Sequence, residues 1–215
     1  SQLFNLTVLP FDTATLLMPG FTAPTGVFTF CGKIILSGDI DTTNNEVCFQ
    51  TTPQIAVQVP YIEDFETPGS PGWYAISSTP GTDWELGYPA FGLTTGTHSG
   101  NNCWDINLSS TYGANALSYL YSPSINLNTL TSNQLSFWMN IASENFWDGT
   151  RLEYSTDGGF SWTMLGYYGD PIGINWYNNV SLNSSSLPGW AANSLGWVQA
   201  RYRLDAFQGE SDFRL

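Results

Sequence analysis

Apolar and polar residues alternate along much of this chain, and helical spacing is nearly absent. In NQLSFWMNIAS (133–143), Leu135, Phe137, Met139 and Ile141 share one parity, while Ser136, Trp138, Asn140 and Ala142 share the other. That is the period of a half-buried strand. WVQARYRL (197–204) repeats it, with Val198, Ala200, Tyr202 and Leu204 inward and Gln199, Arg201 and Arg203 outward. In TRLEYS (150–155), Leu152 and Tyr154 alternate with Arg151 and Glu153. Clusters rich in Gly, Pro, Asn, Ser and Thr separate the runs, as in TPGSPG, TPGTD and LNTLTSN. Many short strands with frequent turns predict an all-β chain, arranged as an antiparallel β-sandwich.

A break is expected near Pro60. Residues 1–59 carry four acidic residues and Lys33, a net of −3, which leaves −10 for residues 60–215. All nine tryptophans follow the break. The first part ends in two strand-like runs, GVFTFCGKIIL and EVCFQTTPQIAVQV, joined by the polar SGDIDTTNNE. Fewer than sixty residues make a thin sandwich, so this part is expected to continue upstream. The chain starts at SQLFNLTV and stops at a strand-like DFRL, which reads as a segment of something longer.

YSTDGGFSW (154–162) concentrates the polar chemistry. Ser155, Asp157, Gly159 and Trp162 fit S-x-D-x-G-x-x-W and resemble an Asp-box, a hairpin motif found on several unrelated β folds. Asp157 can accept from the turn's own N–H groups. A glycine at 158 or 159 can take positive φ, and Trp162 can close under the turn. Each residue has a folding role, so a structural hairpin is expected and a catalytic Asp157 is not.

Other reactive groups are sparse. His98 is the lone histidine and is expected to pack or cap its turn. Asp83 and Glu85 share a strand face, but no glycosidase signature surrounds them. Of the three cysteines, Cys31 and Cys48 flank the polar loop, where a hairpin would bring them face to face for a disulfide; two buried thiols are the alternative. Cys103, before Trp104, reads as a packed core residue. No His/Cys cluster has zinc spacing. The expectation is that the chain is not an enzyme and has no catalytic residue.

Charge narrows the partners. The net charge is −13, with a single lysine and charged residues at 11%. Such a chain cannot neutralise phosphates, so nucleic acid is excluded as a partner. No apolar run of about 18 residues exists, so membrane insertion is not expected.

DFE (64–66), GW (72–73), DWELG (83–87), THSGNNCW (97–104), ALSYLYSPSINL (116–127), LSFWM (135–139) and WDGTRLEYSTDGG follow in an order that resembles the MAM-like jelly roll, in the style of surface and secreted proteins of Bacteroidetes-type bacteria. The likeness covers about residues 60–215. The cysteine set of vertebrate MAM domains and the family's acid-rich last strands are missing. Residues 1–59 resemble the end of an immunoglobulin-like module.

The resemblance implies a non-catalytic extracellular adhesion or structural module of a large bacterial cell-surface or filament-forming protein. Its partners would be neighbouring β modules of the same chain, further copies in a fibre, or a cell-surface glycan or protein. It implies a structural Ca²⁺ between loops, for which Asp64, Glu66, Glu144 and Asp148 offer hard oxygen donors. Glu66 could instead cap backbone N–H groups. It also implies O-glycans at Thr13 and Thr42, each after an aspartate. Jelly rolls also serve as lectins. Trp147, Trp176 and Trp190 lie in polar, loop-like surroundings where a sugar ring could stack, unless each plugs an end of the sandwich. A carbohydrate-binding module, accessory to a secreted hydrolase, is the alternative reading.

Overall fold

The computed structural model describes Asn5, Thr7 and residues 28–51, 56–77, 84–128 and 131–215. Thr13 and Asp83 lie outside the described residues. The chain divides into two compact units, residues 1–53 and 54–215. The division falls ahead of the expected break at Pro60, because residues 57–58 already pair with a strand of the second unit.

In the first unit, β1 (Phe28–Lys33) and β2 (Glu46–Thr51) form an antiparallel hairpin. Cys31 faces Cys48 in register, with Cα atoms 4.1 Å apart, and the two sulfurs are bonded. The connecting loop is braced by its own acids. Asp39 accepts from the Asn45 amide at 2.8 Å, and Asp41 caps a short 3₁₀ turn, Thr42–Asn44, by accepting from the Thr43 N–H at 3.1 Å. These Thr43 bonds, the hydroxyl first, hold the Asp41 carboxyl below its usual range. None of residues 29–48 is buried, and among the described residues this hairpin is tied by its ladder, its disulfide and its loop bonds.

The second unit is built from short strands. In chain order they are β3 (Val57–Gln58), β4 (Tyr74–Ser77), β5 (Trp84–Gly87), β6 (Cys103–Ile106), β7 (Ser118–Tyr121), β8 (Ile125–Asn126), β9 (Gln134–Met139), β10 (Glu153–Tyr154), β11 (Thr163–Met164), β12 (Gly173–Ile174) and β13 (Val198–Arg203). No α-helix occurs among the described residues, so the all-β expectation holds. The pairings are β4–β7, β5–β6 and β10–β11, all antiparallel, and a three-stranded sheet in the order β12-β13-β9. One pair departs from the antiparallel expectation: β3 and β8 run parallel, with Val57 beside Ile125.

Alternation at β9 and β13 is realised as expected. Leu135, Phe137 and Met139 turn inward, as do Ala200 and Tyr202, and Gln134, Ser136, Trp138, Arg201 and Arg203 turn out. Their inward faces meet Leu127, Leu165, Trp176, Tyr177, Trp190, Leu204 and Phe213 in the core. Loops close this core through single bridges, such as Thr150 with Trp190 and Ile125 with Phe213. Phe213 is fully enclosed.

Candidate functional site

The YSTDGGFSW hairpin joins β10 to β11, and its wiring is local. The Ser155 hydroxyl donates to Asp157 Oδ1 at 2.7 Å and accepts from the Gly159 N–H at 2.9 Å. Asp157 Oδ1 also accepts from the N–H groups of Phe160 (3.0 Å) and Ser161 (2.9 Å). Asp157 Oδ2 accepts from the Ser161 hydroxyl at 2.6 Å. These donors, Ser161 foremost, hold the carboxyl well below the usual carboxylate range. Gly158 and Gly159 sit at φ +81° and +88°, where a Cβ would be strained. Trp162 donates its indole N–H to the Gly159 carbonyl at 3.0 Å and packs edge-on to Tyr121 at 5.3 Å. The hairpin is pinned to the C-terminal stretch by paired backbone bonds between Ser155 and Arg214. Asp157 therefore aims at its own turn.

The four carboxylates expected at a cation are not gathered into one cluster. Glu66 Oε1 accepts from the N–H groups of Asn101 and Asn102, both at 2.7 Å, and Oε2 from the Asn102 side chain at 3.3 Å. It caps a distant loop. Asp64 accepts from the Glu66 N–H at 3.1 Å within its own turn. Asp148 accepts from the Tyr112 hydroxyl at 3.1 Å. Burial raises the Tyr112 hydroxyl above its ordinary value, with that bond adding to it. Glu144 lines an open cleft with Thr111, Tyr112 and Asn193. Among the described residues, the one group of three or more His, Cys, Asp or Glu side chains with ligand atoms within 4.8 Å of one another is Cys31, Glu46 and Cys48, where both sulfurs are already in a disulfide. Asp64, Glu66, Glu144 and Asp148 thus do not form the multi-carboxylate cage that Ca²⁺ prefers.

The tryptophan expectation needs correction at two positions. Trp176 and Trp190 are core residues, with only 8% and 3% of their surface exposed. Their rings meet edge-to-face at 4.9 Å, and Trp176 leans on Tyr202 at 4.5 Å. Their indole N–H groups are satisfied by the carbonyls of Leu165 (3.2 Å) and Asn175 (3.0 Å). Tyr177 joins the cluster, 4.6 Å from Trp190; it bonds the Leu165 carbonyl at 2.9 Å, and burial pushes its hydroxyl up to about 12. Gly173 is required here, because a Cβ would lie 2.7 Å from the Trp176 Cβ. For these two the alternative reading, an indole packed inward, is the one realised. Trp147 alone of the three is exposed, beside exposed Phe146.

Reactive pairs are also bound up. Glu85 faces Asp105 across β5 and β6. Burial raises the Asp105 carboxyl, while bonds from the Ile106 N–H and Thr94 lower it. Glu85 accepts from the Leu108 N–H at 3.0 Å. Burial, with Asp105 adding, pushes the Cys103 thiol up to about 11, so thiolate is scarce at neutral pH. Thr42 stands exposed at the start of its 3₁₀ turn.

One arrangement was not foreseen. His98 stacks flat on Trp138, ring centroids 3.9 Å apart, and meets Trp197 edge-on at 5.9 Å. Trp138 is 44% exposed on the outer face of the β12-β13-β9 sheet. Alternation placed Trp138 outward, but no local signal tied His98 to it. Searches against protein-family models, curated proteins and solved structures return no match.

Proposed function

We propose that this chain is a non-catalytic adhesion or structural module of an extracellular protein, in the style of large bacterial cell-surface or filament-forming proteins. In this reading the second unit is a MAM-like jelly roll and the first the end of an immunoglobulin-like module. The observation that carries it is the Asp157 carboxylate, saturated by donors of its own turn. The most conspicuous acidic motif of the sequence braces backbone and presents no free base. The Cys31–Cys48 bridge supports an oxidising, extracellular location. Among the described residues no helix is long and apolar enough to cross a membrane. Neighbouring β modules, further copies of the chain and cell-surface glycans or proteins are the partners this role calls for.

A carbohydrate-binding role is the second reading, favoured by the exposed indoles of Trp138 and Trp147. Microspheres coated with the 215-residue chain test the main reading when flowed under shear over bacterial and host cell layers. Retention above that of uncoated spheres, without release of soluble sugars or peptides from the layers, is the expected outcome. Release of such products by the chain would make it an enzyme and overturn the reading. Retention no better than bare spheres would remove the adhesive part.

A further inference from the structure

The chain has five basic side chains, and four of them sit against carboxylates: Lys33 on Glu46 at 3.5 Å, Arg151 on Glu153 at 2.8 Å, Arg214 on Asp212 at 3.0 Å, and Arg203 on Asp205. In the three arginine pairs the acid lies two positions away along the chain. Arg201 has Gln199 at that spacing instead. Among the described residues it has no carboxylate partner, although the chain carries 18 acids.

Its guanidinium is nevertheless positioned. Arg201 donates through Nε and Nη2 to Gln199 Oε1, at 3.0 and 2.5 Å. Gln199 in turn donates to the Ser136 hydroxyl at 3.0 Å. The relay runs across the outer face of β9 and β13, where Arg201 faces Ser136 and Gln199 faces Trp138. Relaying through neutral groups orients the fork, and no described carboxylate pairs with it. Same-face residues two apart on a strand are about 7 Å apart, and diagonal neighbours about 7–8 Å. Trp138 and Arg201 are diagonal neighbours on this face, so the points from which their side chains leave the sheet are about 7–8 Å apart, on the order of the span of one sugar ring.

We propose that this outer sheet face binds an oligosaccharide bearing a carboxylate, with one pyranose ring against the Trp138–His98 stack and its carboxylate on Arg201. The inference rests on the adhesive reading above and names the ligand class for it. Aromatic rings take the C–H faces of sugars, and the planar guanidinium fork matches a carboxylate. Charge complementarity selects the acidic sugar: among the described residues, Arg201 is the one basic side chain without a carboxylate partner. Trp147 is a weaker candidate, since Glu144 and Asp148 flank it and would repel the same ligand.

The test is calorimetric titration of the 215-residue chain with trigalacturonate and with its neutral methyl ester. It is followed also through the Trp138 indole ¹H–¹⁵N resonance, assigned by its loss in Trp138→Ala. The acid should bind and shift that resonance, and the ester should bind at least roughly tenfold more weakly. Arg201→Gln should bind acid and ester with the same low affinity, and Trp138→Ala should bind neither. Both side chains are exposed, so circular dichroism should show the variants folded. No heat and no indole shift at millimolar acid would overturn the proposal. So would unchanged acid binding in Arg201→Gln, or equal binding of polyglutamate, which would assign the face to acidic peptides. If coated spheres still adhere while trigalacturonate fails to bind, the ligand assignment falls and the adhesive reading stands.

Discussion

Two hairpins in this chain solve the same problem differently. The β1–β2 hairpin has a long ladder, no buried residue among positions 29–48, and a disulfide. The β10–β11 hairpin has a ladder of only Glu153–Met164 and Tyr154–Thr163 and no covalent tie. Its turn is held by Asp157 and Ser155, its floor by Trp162, and its strands by the core next to it. A hairpin whose described side chains are largely exposed gains from a covalent constraint on the unfolded chain. A hairpin laid on a packed core can be fixed by a carboxylate and an indole. The local hydrogen bonds then set shape, and the core supplies most of the stability.

The contrast can be broken first at the core. Trp176→Ala should destabilise the second unit by about 3–5 kcal/mol, since it opens a cavity among Trp190, Tyr177 and Tyr202. Urea unfolding followed by near-ultraviolet circular dichroism measures it. Reducing the Cys31–Cys48 bridge, which closes a 17-residue separation, should cost the first unit about 3 kcal/mol. Limited proteolysis should cut within residues 28–51 sooner in the reduced than in the oxidised chain.

Smaller effects separate turn from core. Gly159→Ala places a Cβ at φ +88° and 3.4 Å from Trp162, and should lower stability by about 1–2 kcal/mol. Asp157→Asn should lower the urea midpoint less than Trp176→Ala does, and its effect should depend on pH. The folded-state carboxyl is held below its ordinary value of 3.8. Its stabilisation is therefore complete above that value and is lost as pH falls through the folded-state pKa. The gap between the native chain and Asp157→Asn should be constant above about pH 5 and should shrink below about pH 4. Trp147→Ala should change stability by no more than about 0.5 kcal/mol, because the ring is more than half exposed.

What was legible in the sequence was local. Period-two alternation placed the inward faces of β9 and β13, and the S-x-D-x-G-x-x-W spacing placed Asp157 on its own turn's N–H groups, the glycines at positive φ and Trp162 beneath the turn, but not the bonds of the Ser155 and Ser161 hydroxyls. The facing cysteines followed from two strands around a polar loop. What was not legible depends on contacts distant in sequence. Trp176 and Trp190 sit among Asn, Gly and Pro, yet the Thr150–Trp190 bridge and the Asn175 backbone at φ +51° turn them into the core. For Glu66 the capping alternative is the one realised, but nothing local told that the N–H groups it caps are those of Asn101 and Asn102, distant in sequence. The parallel pairing of β3 with β8 and the His98–Trp138 stack likewise join segments that share no local pattern.

The central claim is that Asp157 is committed to its own backbone turn. Carbon-13 detection of the Asp157 carboxyl through an acid titration tests it most directly. The account predicts that the carboxyl stays ionised as pH falls through the ordinary aspartate value, protonating only well below it, as the Phe160 and Ser161 amide shifts change with it. A carboxyl titrating at or above the ordinary value, with those amides unmoved, would mean a free acid group and would contradict the account.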